Sequence, residues 1–552
     1  MIQRRQARLT NDKVGRTHHF FLFRHCVRST KAKLAVLNQN GNISTDPFDY
    51  VASPMTEEAW GVPPEWCTPD ALTQVQDTGR WLLENKIIKI VDCDATSATC
   101  ASGGQKRRRI HVEIITDSSH RDVDTAFAFA EGLKKAAKTL SKKTSSSSDH
   151  APSMQLTLDG LNDLHYDHWL FKPFEDDTAG CKAAHSEDEM LQAVQDRLSS
   201  IPPPSTISRT AEFVMETAGI GRLGNLSSVF SNNLTIDPKS KKLEGAPVFF
   251  RHFAQWLFYS RAGNITHPYL QGKVSQDQVY DMLQWVHWSR TVTEFNNPLQ
   301  ATIGSVLAQG MLRVLKHGSL HSLSNDSYDT YVTILAGHDG NLESLATALG
   351  ASWSLPAPYR TGLDASEEPY RGTPPLSGLH VERSFLSKTI KYHFLTPVYS
   401  SIISSKNYST SNGHVEWVFN ASGILEQVPL EWRFGPFTLE DSADIGTSTG
   451  QNRDPMTELE RQIKDVLGLY TGAMACFEAS RGYLEVLNIP QRKPGATTRQ
   501  ILLFVVPLVV LSLLLCIACI WTGRRRRQRA GTNSRDYSGV ANTVGSSESE
   551  LV

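Results

Sequence analysis

Phe21-Leu22-Phe23-Arg24-His25-Cys26-Val27-Arg28 is the stretch on which the reading of this 552-residue chain turns. An unbroken apolar run of this kind predicts a strand buried on both faces, and it ends on Arg-His-x-x-Arg. Far downstream a second apolar run, Tyr331 to Leu335, leads into Gly337-His338-Asp339. Two imidazoles, two guanidiniums and a carboxylate at strand ends are the parts needed to move a phosphoryl group. Arginine forks match phosphate oxygens, a histidine can attack phosphorus, and an acid can protonate the leaving oxygen. Ligands of open α/β sheets bind at the carboxyl ends of strands, where both motifs fall.

Working outward, Leu72 to Leu83 reads as an amphipathic helix behind a Thr68-Pro69-Asp70 cap. Ile110 to Ile115 alternates like a strand, and a helix is expected from about Val123 to Leu140. The run Ser141 to Ser148 reads as an exposed loop. Helix patterns at Met190–Leu198, Phe249–Tyr259 and Val279–Trp288, broken by Pro202-Pro203-Pro204, suggest an α-rich insertion over about 150–297. The core then resumes with a helix from Leu299 to Leu315, the second strand, a helix from Leu342 to Leu349 and a hairpin made by His380–Phe385 and Thr389–Phe394. Strands alternating with helices predict an α/β core, about 17–140 and 298–440. The expected fold is a mixed sheet flanked by helices with an α-rich inserted lid. Residues 441–500 read as a polar linker and juxtamembrane stalk.

Ile501 to Trp521 is almost wholly apolar, long enough to span a bilayer, and followed by Arg524-Arg525-Arg526-Arg527. The basic cluster predicts a cytosolic tail over 522–552 and a lumenal or extracellular N-terminal part, a single-pass type I arrangement. Seven Asn-x-Ser/Thr sequons, at Asn42, Asn225, Asn233, Asn264, Asn325, Asn407 and Asn420, favour the same side. Residues 1–15 are polar and basic and hold no signal-peptide core, so the true start is expected upstream. The alternative is insertion through the C-terminal helix, with the bulk cytosolic. Tyr537-Ser538-Gly539-Val540 matches a tyrosine-based endosomal sorting pattern, which names a sorting adaptor as a partner. The net charge of −1 argues for no nucleic-acid partner. Of eight cysteines, Cys516 and Cys519 sit in the span and Cys26 in the motif. Cys67, Cys93, Cys100, Cys181 and Cys476 remain, with no readable pairing and no zinc spacing.

These motifs resemble those of the histidine acid phosphatases, the branch of the histidine phosphatase superfamily that includes lysosomal-type acid phosphatases and phytases. Arg24-His25-Cys26-Val27-Arg28-Ser29-Thr30 is similar to the family's Arg-His-Gly-x-Arg-x-Pro. Leu72-Thr73 with Gly79-Arg80, the run from Ile115 to Arg121 ending at Gly132-Leu133, Gly337-His338-Asp339-Gly340-Asn341, and Pro374-Pro375-Leu376-Ser377 up to Glu382 continue the likeness. It runs from about residue 19 to about 440, less much of the insertion.

The resemblance implies a metal-free, cofactor-free, two-step phosphomonoesterase. His25 would be the nucleophile and Asp339 the general acid. Arg24, Arg28, Arg121 and His338 would hold the phosphate. The expected setting is acidic, in a lysosome, vacuole, endosome or cell surface. The substrate would be a small phosphate ester or a phosphoprotein, and the family admits a homodimer. Cys26 replaces the family glycine and Thr30 the proline. A Cβ there is expected to crowd the loop, and an ionised thiol would repel phosphate. That departure supports a rival reading, an impaired member acting as a membrane-anchored phosphate-binding or receptor-like protein. A third reading is a cytosolic inositol-phosphate enzyme anchored by its tail. Lys106-Arg107-Arg108-Arg109 reads as a solvated loop, and His165 and His168 as lid packing. Asp339 is also a candidate helix cap ahead of Leu342.

Overall fold

Both apolar runs become central strands of one sheet in the computed structural model. The structure describes residues 16–29, 60–63, 65–88, 107–146, 155–173, 181, 187–204, 207–218, 235–236, 243–244, 246–263, 274–294, 297–321, 328–353, 372–403, 417–428, 430–432 and 454–486. The main sheet has eight strands: β1 (Thr17–Arg24), β2 (Arg107–Thr116), β3 (Gln155–Asp159), β4 (Leu164–Tyr166), β5 (Thr330–Gly337), β6 (Gly378–Ser384), β7 (Thr389–Ile403) and β8 (Trp417–Val428). Their order is β8-β7-β6-β1-β5-β2-β3, with β4 also beside β2. β1, β5, β2, β3 and β4 run parallel, whereas β1-β6-β7-β8 is antiparallel. The sheet is therefore mixed, as expected from the alternation of strands and helices.

The helices are α1 (Pro69–Glu84), α2 (His120–Ser146), α3 (His168–Phe171), α4 (Glu187–Ser200), α5 (Ile207–Ala218), α6 (Ala246–Ala262), α7 (Gln276–Thr293), α8 (Pro298–His317), α9 (Asp339–Leu349), α10 (Pro455–Leu467) and α11 (Ala473–Val486). They cover both sheet faces, because neighbouring residues of β1 point opposite ways. Phe23 packs on Phe129 of α2, and His18 reaches the Leu315 carbonyl of α8. β1 and β5 are buried along their whole length, which explains their unbroken apolar character. The α1–α2 crossing needs glycine. A Cβ on Gly132 would stand 2.1 Å from Gln76 O, and one on Gly79 would stand 2.7 Å from Phe129 O.

Four expectations change. Arg107–Arg109 open β2 rather than a loop; Arg109 pairs with Asp159 at 2.8 Å. α2 continues through Ser146, so most of the serine run is helical. The core does not give way to the insertion at residue 150, since β3 and β4 join the main sheet and the α-rich part starts only at α4. The stretch 441–500 is not simply a linker, because α10 and α11 pack on the core. Buried Gln462 donates to Leu349 O, Lys316 pairs with Glu460 at 2.8 Å, and Cys476 is disulfide-bonded to Cys181. Apolar Met456, Leu459, Ile463 and Leu467 line the buried face of α10 at helical spacing.

The span 501–521, Tyr537, Cys93, Cys100, Cys516, Cys519 and every sequon except Asn420, which lies in β8, fall outside the described residues. Among the described residues no helix is long and apolar enough to cross a membrane.

Candidate active site

Three parallel strands end side by side, with Arg24 of β1 level with Gly337 of β5 and Thr116 of β2 level with Ala336. The chain leaving each strand carries the polar groups. His25 follows β1, His338 and Asp339 follow β5, and Asp117 follows β2, with Arg121 one turn further along in α2. His338 caps α9, its N–H donating to Asn341 Oδ1 at 2.9 Å, so Asp339 is the first residue of the helix rather than its cap.

All six residues singled out from the sequence meet here. Arg24 Nη2 is 3.1 Å from Asp339 Oδ2. The rings of His25 and His338 meet edge to face at 5.6 Å. Arg121 Nη2 is 3.5 Å from His338 Nδ1. Arg28 lies over the Tyr259 ring at 5.5 Å, and Arg24 donates to the Tyr259 hydroxyl at 2.6 Å.

The environment of His25 sets its chemistry. Its Nδ1 is 2.8 Å from Cys26 O. A carbonyl only accepts, so Nδ1 carries the proton and Nε2 keeps its lone pair. Burial, reinforced by Arg121, Arg24, His338 and Arg28, holds the imidazole well below its ordinary value. Burial opposes the charge of Asp339, but Arg24 and Arg290, with His25 and His338, overcome it and hold the carboxyl well below the usual range.

Cys26 is not a free thiol; it is disulfide-bonded to Cys67, just before α1. The Cβ that replaces the family glycine points into this bridge. The bridged sulfur does not titrate, so the expected thiolate charge does not arise. The Cys26 N–H donates to Thr125 Oγ1 at 3.0 Å, and Thr125 donates to Arg121 O at 2.6 Å. The loop is thus fastened to both α1 and α2.

Several further residues of the site carry no motif. Asp117, wholly buried, accepts from His338 Nε2 at 3.1 Å and contacts His168 at 2.8 Å and Lys172 at 3.1 Å. His168 therefore belongs to the support of this site, and His165 stacks on His321 at 4.6 Å; neither packs a lid. Tyr259 of α6 and Arg290 of α7 come from the insertion. Arg290 Nη1 is 3.1 Å from Asp339, and its other face grips Glu343. A 3.6-residue pattern signals that α6 and α7 are helices but not which polar residue meets the strand ends.

Among the described residues three clusters offer ligand atoms to a metal. In the first, the rings of His19 and His380 are coplanar within 12°, with Nδ1 and Nε2 3.1 Å apart. Rings set head to head in this way make an N–H···N bond, which uses the lone pair a metal needs. In the second, burial works against the His321 charge, yet Asp167 and Glu113 push it up to about 9, so both ring nitrogens carry protons. In the third, Asp117 with Asp122 and His338, the cations Lys172 and Arg121 already supply positive charge.

A family model described as histidine phosphatase superfamily (branch 2) matches residues 20–383, and the chain belongs to that family. A phytase of Hafnia alvei in complex with myo-inositol hexakis sulphate superposes with a TM-score of 0.50 at 15% identity, over 82% of this chain and 96% of that one. A phytase from Citrobacter braakii gives 0.49 at 16% identity, over 82% and 98% of the two chains. A phytase from Klebsiella sp ASR1 gives 0.45 at 16%, over 70% and 84%. At 15% identity the Hafnia alvei match speaks to the fold alone. A comparison with curated protein sequences found no match.

Proposed function

We propose that the chain is a phosphomonoesterase that works through a phosphohistidine on His25. One observation carries the reading: the Nδ1–H···O bond to Cys26 leaves an unprotonated Nε2 among arginines. His25 Nε2 attacks phosphorus, an N–P bond forms, and the ester P–O bond breaks as Asp339 gives its proton to the leaving oxygen. Water then attacks phosphorus and breaks the N–P bond, its proton returning to Asp339. Arg24, Arg28, Arg121 and His338 hold the phosphate oxygens, and preorganised guanidiniums supply the charge stabilisation.

The depressed value of His25, which keeps the nucleophile neutral in acid, supports acidic operation. The rival reading, a phosphate-binding member without turnover, drew on Cys26 as a charged or crowding thiol. In the disulfide the Cys26 sulfur carries no charge, which weighs against that rival. The substrate is a small phosphate ester or a phosphoprotein. The apolar run 501–521 anchors the chain, with the phosphatase unit on the lumenal or extracellular side. Glycosidase treatment of the expressed full-length chain tests that placement; a product bearing no N-glycan would put the folded part in the cytosol.

The test of the chemistry is hydrolysis of p-nitrophenyl phosphate by the full-length protein, with rapid alkaline-quench trapping of a phosphoenzyme. Turnover and an acid-labile label, both absent from His25→Ala, are expected. A folded wild type that binds phosphate and hydrolyses nothing would overturn the reading.

A further inference from the structure

Behind the phosphate-binding groups, five residues close a ring of polar contacts. Arg24 reaches Asp339 at 3.1 Å, and Asp339 meets Arg290 at 3.1 Å. Arg290 places Nε and Nη2 on the two oxygens of Glu343. Glu343 Oε1 accepts from Thr373 Oγ1 at 3.2 Å, and the Thr373 carbonyl accepts from Arg24 Nη1. The ring joins β1, α7, α9 and the segment before β6.

Its least expected member is Glu343. It lies one helical turn after Asp339, and residues four apart share a helix face. One guanidinium therefore straddles both carboxylates. Glu343 is wholly buried, and a buried carboxylate persists only when paired. Burial pushes Glu343 up to about 8 against the pull of the Arg290 fork, and the geometry weighs on the other side. Both oxygens accept guanidinium N–H, so the geometry holds the ionised form.

We propose that Glu343 is a positioning residue, the counter-ion that fixes the Arg290 guanidinium in register and through it holds Asp339 for proton delivery. This rests on the phosphohistidine reading. Asp339 is faced by Arg24 and His25 from the end of β1, Arg251 from α6, Arg290 from α7, and His338 beside it. Glu343 is faced by Arg290 and by Glu294 at the end of α7, and buried His287 of α7 faces Arg24 and Arg290. Cations dominate around Asp339. An acid so surrounded gives up its proton too early to serve a leaving group. Glu343, wholly buried behind Arg290, offsets one of those cations.

The leaving group is the diagnostic. An aryl oxide departs with little protonation, whereas an alkoxide needs the acid. Full-length wild type, E343Q, E343D and R290K are assayed on p-nitrophenyl phosphate and glycerol 2-phosphate from acid to neutral pH. E343Q is expected to lose roughly tenfold more on the alkyl than on the aryl ester. Its alkyl profile should slide about one pH unit to the acid side, because removing a carboxylate makes Asp339 release its proton more readily. E343D, which keeps the charge, should recover most of the alkyl rate. R290K keeps a charge but cannot span two carboxylates. It carries the same alkyl-selective loss if E343Q melts too low to assay. Equal losses on both esters with an unmoved profile would overturn the proposal and leave the phosphatase reading standing. A wild type inactive on both esters would sink that reading and this one with it.

Discussion

The site has two walls of different origin. One is made where β1, β2 and β5 end, and its residues stand next to strands whose apolar runs announce them. The other is made by α6 and α7 of the insertion, whose Tyr259 and Arg290 lie far from any motif. The strand-end wall holds His25 and Asp339, the proposed nucleophile and acid, at the points where the chain leaves the sheet. The helical wall grips Arg24 and Asp339 through Tyr259 and Arg290. Reacting groups sit where backbone geometry is rigid, and the tuning of their charge is left to elements that pack against them.

The sharpest way to break this division is Asp339→Asn. Alkyl-ester turnover should fall by about 10²–10⁴, the usual worth of a general acid, with the aryl ester less affected. An equal loss on both would mean that Asp339 serves only to hold Arg24.

Next in size is the fastening of the motif loop. The Cys26–Cys67 bridge closes a separation of 41 residues, for which loop-closure entropy suggests about 4 kcal/mol. Cys26→Ala/Cys67→Ala should unfold at markedly lower denaturant concentration and lose activity as Arg28 and His25 loosen. Unchanged stability would show that the contacts of Thr125 and α1 suffice.

Acid sets the sheet and the insertion, the regions behind the two walls, against each other. His18 in β1 and His287 in α7 are both pushed down to about 3, chiefly by burial. Below the ordinary value of about 6.5 the unfolded chain takes up these protons and the folded chain does not. The stability present above that value is therefore lost as pH falls, by about 2 kcal/mol per histidine between pH 7 and pH 5. His321 runs the other way. Pushed up to about 9, its contribution is full below about 6.5 and lost only as pH rises through 9. Denaturant melts of His18→Phe and His287→Phe should each show a flatter acid dependence than wild type. A slope changed in only one would assign the acid sensitivity to that region, the sheet or the insertion.

The smallest effect is expected at Tyr259→Phe. It removes one hydrogen bond to Arg24, worth about 1 kcal/mol or about fivefold in kcat/KM. A much larger loss would move Tyr259 from support to substrate contact.

Linear order by itself determined the sheet and its reactive edge. Period-two and unbroken apolar runs specify strands, a cap such as Thr68 specifies a helix start, and Arg-His-x-x-Arg and His-Asp stand at the ends of their strands. Such signals are local, carried by residues within a few positions of one another. Tertiary structure decided what joins distant positions. Cys26 found Cys67, Cys181 found Cys476, and α10 and α11 docked on the core from a stretch with the composition of a linker. Asp117 gathered His338, His168 and Lys172, and Arg290 found both Asp339 and Glu343. Disulfides and buried ion pairs depend on where side chains converge in space, and no periodicity records that. A charged residue on a helix reads as solvent-facing until the fold turns that face inward.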